Sequence, residues 1–179
     1  MVFLVAGMVL VGALGLLNLA LSLAIVRRLR RQGEQRQGLD HHASSGPEVG
    51  AKLPSFSAPA LGGELFSSDS LAGGEAALSF LTTSCGACDT FIEDMPELAA
   101  QSGLDASRLV VVITGEAGKA RQMADLLDGV ATVVHEKAPG DISALYSITA
   151  TPTTVVVDAR QNVTATHTGT KPVLQGLPA

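Results

Sequence analysis

Leu78-Ser79-Phe80-Leu81-Thr82-Thr83-Ser84-Cys85-Gly86-Ala87-Cys88 decides the reading of this 179-residue chain. An apolar run of strand character delivers a C-x-x-C pair, and Cys85 and Cys88 are the only cysteines in the sequence. That spacing puts the thiols one helical turn apart if the segment opens a helix. The following residues predict such a helix: Phe91, Ile92, Met95, Leu98 and Ala99 recur at helical spacing, with Glu93, Asp94 and Glu97 between them. Cys85 then stands at a helix N-terminus. Unpaired backbone N–H groups and the positive end of the helix dipole favour the thiolate there, which makes the sulfur a nucleophile near neutral pH. Cys88, a turn further in, is expected to be the buried resolving thiol. A structural zinc site needs four ligands, and one pair with His41, His42, His135 and His167 scattered along the chain does not supply them. Two ordinary buried cysteines are the plain alternative, against which the placement between a strand and a helix speaks for redox chemistry.

Composition bounds the rest. Hydrophobic residues make up 46% of the chain but aromatics only 3%, with no Trp and one Tyr, so the core has to be built from aliphatic residues and five Phe. Met1 to Val26 contains no charged residue. As a helix it would be ~37 Å long, enough to cross a ~30 Å hydrocarbon layer with some tilt, and residues 2–26 are read as a transmembrane helix. A cleaved secretory signal would start basic, be shorter and end in a small-x-small site. This run ends instead in Arg27, Arg28, Arg30 and Arg31, which predicts an uncleaved, single-pass anchor in the cell membrane. The expected organisation is an anchor with its basic flank at 1–31, a polar, Gly-rich spacer at 32–48 and an α/β domain at 49–179. The net charge is −5 and no basic stripe interleaved with aromatics is present, which argues against nucleic acid as a partner.

Along the domain, Lys52 to Leu71 alternates apolar positions with turns, and Glu75 to Leu81 is the first strong strand. The cysteine helix carries Pro96, which removes a donor to the Ile92 carbonyl and predicts a kink. Arg108 to Thr114 reads as a parallel strand buried on both faces, 117–128 as an amphipathic helix, Val130 to Val134 as a strand and Asp141 to Tyr146 as a short helix. Thr154 to Asp158 and Asn162 to Thr168 read as an antiparallel hairpin. This order specifies a mixed sheet flanked by helices.

The chain resembles the thioredoxin superfamily, and within it the membrane-anchored thiol-disulfide oxidoreductases of the TlpA and ResA type. Four stretches carry the resemblance: Val49 to Phe56; Leu61-Gly62-Gly63 with Leu71-Ala72-Gly73; the strand into Cys-Gly-Ala-Cys; and Ile148-Thr149-Ala150-Thr151-Pro152-Thr153-Thr154-Val155. It covers about residues 49 to 170. The resemblance implies a thioredoxin fold and exchange of disulfides with protein clients through Cys85 and Cys88. It further implies no cofactor, an upstream redox donor, and reduction of exported clients such as an apocytochrome or a methylamine dehydrogenase precursor. It also implies that Pro152 is cis beside the cysteine pair and that the backbone of Thr151 docks the client. The topology arguments divide: the Arg flank places the domain in the cytoplasm by the positive-inside rule, whereas the resemblance places it outside, where disulfides persist.

The chain departs from the family pattern in three places. Ser84 stands where a Trp is usual before the first cysteine, Ser79 stands where thioredoxin has a buried acid, and Met95-Pro96-Glu97-Leu98 falls about a turn late. Two other function classes remain open at this level. A peroxiredoxin-like peroxidase would show Pro-x-x-x-Thr-x-x-Cys, which Thr82 fits and Leu78 does not. A non-catalytic binding module on the same scaffold is the second, because fold alone does not confer activity. Finally, Pro172, Gly176 and Pro178 leave no room for a full helix after Thr168. A short or missing C-terminal helix is therefore expected to leave an apolar sheet face that another element or a partner must cover.

Overall fold

The computed structural model describes Gly12 and residues 45–171. The predicted anchor at 2–26 (apart from Gly12), its Arg flank, His41, His42, most of the spacer and residues 172–179 lie outside the described residues. Among those described, no helix is long and apolar enough to cross a membrane.

Chain order is β1 (Ser57–Pro59), β2 (Leu65–Ser67), a 3-10 turn (Ser68–Leu71), β3 (Ala76–Thr82), α1 (Gly86–Ser102), β4 (Leu109–Thr114), α2 (Ala117–Asp125), β5 (Thr132–Glu136), α3 (Asp141–Leu145), β6 (Thr153–Val157) and β7 (Val163–Thr168). β1 and β2 form a separate antiparallel pair, and the other five strands form one sheet in the order β5-β4-β3-β6-β7. β3, β4 and β5 are mutually parallel, each joined to the next through a helix, while β6 runs antiparallel to β3 and β7 antiparallel to β6. The strand that leads into the cysteines is thus the middle one, flanked by backbone partners on both sides.

Side chains alternate along each strand, so the sheet has two distinct faces. Leu78, Phe80, Val110, Val112, Val134, Val155 and Val157 share one face, which Leu53, Phe66, Leu71 and Tyr146 cover. Leu81, Val111, Ile113 and Val133 share the other, beneath Cys88, Phe91, Ile92 and Met95 of α1 and Ala120 and Met123 of α2. The single tyrosine supplies the bulk that the missing tryptophans would have given. Its ring lies 5.0 Å from that of Phe80 and 5.9 Å from that of Phe56, and its hydroxyl donates to the Pro54 carbonyl at 2.7 Å. That bond ties α3 to the segment before β1.

Three expectations change in the structure. Ser45 and Gly46, placed in the spacer by their polar composition, are buried parts of the domain, with the Gly46 N–H donating to the Ser147 carbonyl at 3.1 Å. The helix predicted over 117–128 ends at Asp125, and Leu126, within the predicted span, is 62% exposed. Leu127 alone turns back into the core, through the turn that the Val130 N–H closes on the Leu127 carbonyl. Helix α1 continues through Pro96 to Ser102 and stops at Gly103, whose φ of +69° is left-handed. Pro96 is exposed, so its missing donor lies on the solvent side. Lastly, the sheet face at the β6–β7 end is not a bare apolar surface. The large residues Val155, Val157 and Val163 all point to the Tyr146 side. The opposite side carries the cross-strand row Ser79, Thr154 and His167 and the small pair Ala77 and Ala165 around a buried Val156. Segment Pro54 to Leu71 packs on the Tyr146 face.

The aromatic seam yields a graded expectation. Phe80→Ala empties a fully buried site and should cost about 3–5 kcal/mol, whereas Tyr146→Phe removes one hydrogen bond and should cost about 1 kcal/mol. Urea unfolding of the two variants measures the difference; equal costs would mean that Phe80 is not the centre of this face.

Candidate active site

The site lies where the C-terminal ends of the parallel strands β3 and β4 meet the start of β6. After β3, the Cys85 N–H donates to the Thr82 carbonyl at 3.2 Å and the Cys88 N–H to the Cys85 carbonyl at 3.0 Å, so the chain passes from strand to helix within one tight turn. Cys85 is the N-cap of α1, with extended backbone (φ −106°, ψ 111°) and no side-chain capping bond. Its sulfur is therefore free for chemistry at the helix start. Cys88 is fully buried on the core side of the first turn, and the two thiols are not joined to each other.

A close approach of two loops holds this turn. A Cβ on Gly115 would lie 2.1 Å from Thr83 Oγ1, and Gly115 has a φ of +133°, so only glycine fits. The Thr83 hydroxyl accepts the Glu116 N–H at 3.1 Å. Glu116 in turn caps α2, its carboxylate accepting the N–H groups of Gly118 at 2.6 Å and Lys119 at 2.7 Å. These backbone donors hold the Glu116 carboxyl below its ordinary range. His135, one of the histidines considered as a metal ligand, lies with Nε2 2.9 Å from the Gly115 carbonyl oxygen. Among the described residues no three metal-ligating side chains converge.

From the other side, the Thr151–Pro152 peptide is cis, and the Thr151 carbonyl oxygen lies 3.5 Å from Cys85 Sγ. The structure thus brings together all four residues singled out in the sequence: Cys85, Cys88, Thr151 and Pro152. A second cis bond, Ala138–Pro139, had no signal in the sequence.

The electrostatics of the two sulfurs diverge. At Cys85 burial opposes the thiolate, but hydrogen bonds from the Cys88 thiol and N–H, the Thr151 side chain and the Ala87 backbone outweigh it and bring the pKa below that of an ordinary thiol. At Cys88 burial comes first, reinforced by the hydrogen bond and charge of Cys85, and the pKa is pushed up to about 12. The pair therefore favours the thiolate at the accessible sulfur over the thiolate at the buried one. Ser79, which stands where the resemblance to thioredoxin implies an acid, is buried and 3.0 Å from Thr154 Oγ1. The buried polar residues are all Ser or Thr, with no carboxylate among the described ones. Ser84 is exposed, and its hydroxyl pairs with that of Thr82 at 3.3 Å, which leaves Thr82 turned toward Ser84. The pairings of Thr83 with Gly115 and of Ser79 with Thr154 escape sequence reading, because each joins residues far apart in the chain through a hydroxyl that any surface serine also carries.

Comparison with known proteins follows the same lines. The profile of the Redoxin family matches residues 48–175. No curated protein matches. Among solved structures, a thiol:disulfide interchange protein of the thioredoxin family from Chlorobium tepidum is similar at 25% identity with a TM-score of 0.55, over 69% of this chain and 88% of that one. A secreted disulfide oxidoreductase from Mycobacterium tuberculosis, described as homologous to E. coli DsbE, shares the fold at 24% identity and TM-score 0.54, over 66% and 84% of the two chains. A DsbF homologue from Corynebacterium diphtheriae shares it at 15% identity and TM-score 0.58, over 75% and 88%. With a thioredoxin-like sheet, a dithiol at the start of α1 and a family match over most of its length, this chain belongs to the Redoxin family.

Proposed function

We propose that the protein is a membrane-tethered thiol-disulfide oxidoreductase of the TlpA and ResA kind, which reduces protein disulfides through Cys85 and Cys88. The observation that carries this reading is the asymmetry of the pair: an accessible sulfur with a lowered pKa at a helix start, a buried one pushed up to about 12, and the Thr151 carbonyl 3.5 Å from the first. The resemblance to anchored reductases supports the direction, and the uncharged run at residues 2–26 supports the tether.

In the reducing direction the Cys85 thiolate attacks one sulfur of a client disulfide. That S–S bond breaks, a mixed disulfide forms, and the client's other sulfur leaves as a thiolate. The attack also removes the negative charge on Cys85, and with it the repulsion that helped hold the Cys88 proton. Cys88 then gives up its proton, attacks Cys85 Sγ and releases the second client thiol. Two electrons have passed to the client and the pair is left as a disulfide, which an upstream dithiol donor must reduce. With no buried carboxylate among the described residues to take it, the Cys88 proton goes to water or to the departing client thiolate. Thr151 and Pro152 supply the ledge beside Cys85 on which an extended client segment docks by its backbone.

The division of labour is testable by trapping. Cys88→Ser should accumulate mixed disulfides with clients and Cys85→Ser almost none, and equal trapping by both variants would overturn the assignment. The pH dependence follows from the two shifts. Because the Cys85 pKa lies below that of a free thiol, its alkylation should reach a plateau at lower pH than that of free cysteine, while Cys88 stays unmodified in the folded protein at neutral pH. Mass spectrometry after timed alkylation reads both sites.

For the tether, the domain is proposed to face outward. Glu48 is exposed, so a Glu48→Cys variant carrying serine at positions 85 and 88 should react with a membrane-impermeant thiol reagent in intact cells. Labelling only after lysis would place the domain inside.

A further inference from the structure

The segment just before the domain, Ser45-Gly46-Pro47, is bound to the back of the loop that presents Thr151. Ser45 is only 4% exposed. Its hydroxyl oxygen lies 3.0 Å from the N–H of Thr149 and 3.0 Å from that of Ala150, both of which donate to it, and its own proton goes to the Ala150 carbonyl at 3.2 Å. The Thr153 hydroxyl lies 3.1 Å from the same oxygen. One side chain therefore engages both sides of the Thr151–Pro152 unit, from residue 149 to residue 153. Both N–H groups precede β6, which begins only at Thr153, so the sheet does not pair them and the Ser45 hydroxyl does. Gly46 fixes the approach: it has a φ of +105°, and a Cβ there would lie 2.9 Å from Thr166 Cγ2. The Thr166 hydroxyl holds the next residue, donating to the Pro47 carbonyl at 3.0 Å.

We propose that Ser45 is a positioning residue for the thiol chemistry: it holds the Ala150–Thr151 peptide in register, and so fixes the Thr151 carbonyl and side chain against Cys85. The inference rests on the thiol-disulfide reading above. It goes beyond that reading in assigning a role in the site to a residue 40 positions upstream of Cys85, at the junction with the stretch read as the tether. Charge does not enter the contact; a hydroxyl suits it because the oxygen must accept from two amides and donate to a carbonyl at once.

The test uses the detergent-solubilised full chain and three variants. Ser45→Ala should shift the pH midpoint of Cys85 alkylation upward, because the hydrogen bond of the Thr151 side chain helps to lower it. It should also reduce kcat/KM toward a disulfide-bonded peptide about tenfold, the size expected for the loss of one well-formed hydrogen bond, with the loss carried by KM. Ser45→Thr keeps the hydroxyl and should restore both. Thr166→Val removes the neighbouring hydroxyl that holds Pro47 without touching the loop, and should lower the melting temperature while leaving the midpoint and KM at their wild-type values. A folded Ser45→Ala protein with an unchanged midpoint and KM overturns the proposal, and so does a Thr166→Val protein that moves both as far. If Ser45→Ala does not fold, amide hydrogen exchange decides: Thr149 and Ala150 should be protected in the wild type and in Thr166→Val, and rapid exchange there overturns it. Failure of the functional reading is distinct, since a wild type that exchanges no disulfide with the peptide still has a Cys85 midpoint for Ser45 to move.

Discussion

The interaction on which the rest of this protein depends is the hydrogen bond between two sulfurs a helical turn apart, one at the mouth of the fold and one in its core. Burial makes ionisation of Cys88 expensive, and hydrogen bonds to Cys85 make ionisation there cheap. Neither effect survives unless the first turn of α1 keeps its depth. That depth is set by Phe91, Ile92 and Met95, buried against Val111 and Ile113 of β4. β3 and β4 in turn are locked by a parallel register that runs from Ala77 opposite Leu109 to Thr82 opposite Thr114.

Around this pair the fold uses hydroxyls where a charged group would have been the other solution. Ser79 meets Thr154, Thr153 meets Thr168 and Ser45, and Thr83 meets the Glu116 N–H. Among the described residues no buried side-chain oxygen or nitrogen is left without a partner. A hydroxyl pair costs little to bury when it is satisfied, and it imposes no charge on the thiols. Among the described residues no buried carboxylate stands ready to take the Cys88 proton.

The two faces of the sheet divide structure from chemistry. The face under Tyr146, Phe56, Phe66 and Phe80 is closed by the first part of the domain, with rings 5.0 to 5.9 Å apart. Burial pushes the Tyr146 hydroxyl there well above its ordinary range. The α1 face carries the thiols. At its β6–β7 end it turns polar and small, which is how a chain with so few aromatic residues avoids a large uncovered surface there. The exposed large apolar residues, Val49, Leu65, Leu126 and Leu145, are dispersed over separate elements, as on ordinary protein surfaces.

The sequence alone determined the elements whose signal is local. Periodicity and β-branching located β3, β4 and the terminal hairpin to within a residue or two, and the spacing of Cys85 and Cys88 after a strand pointed to a dithiol at the start of α1. The tertiary structure decided whatever joins distant residues. Composition marks Ser45 as spacer, yet the Thr149 and Ala150 amides bury it. Gly115 reads as one more loop glycine until Thr83 is found against it. The apolar stripe predicts a helix to residue 128, yet the turn that buries Leu127 ends it at Asp125. In each case the deciding partner lies outside any local window, because a hydroxyl or a glycine acquires its meaning from what the fold brings to it, whereas a periodic apolar stripe carries its meaning along the chain.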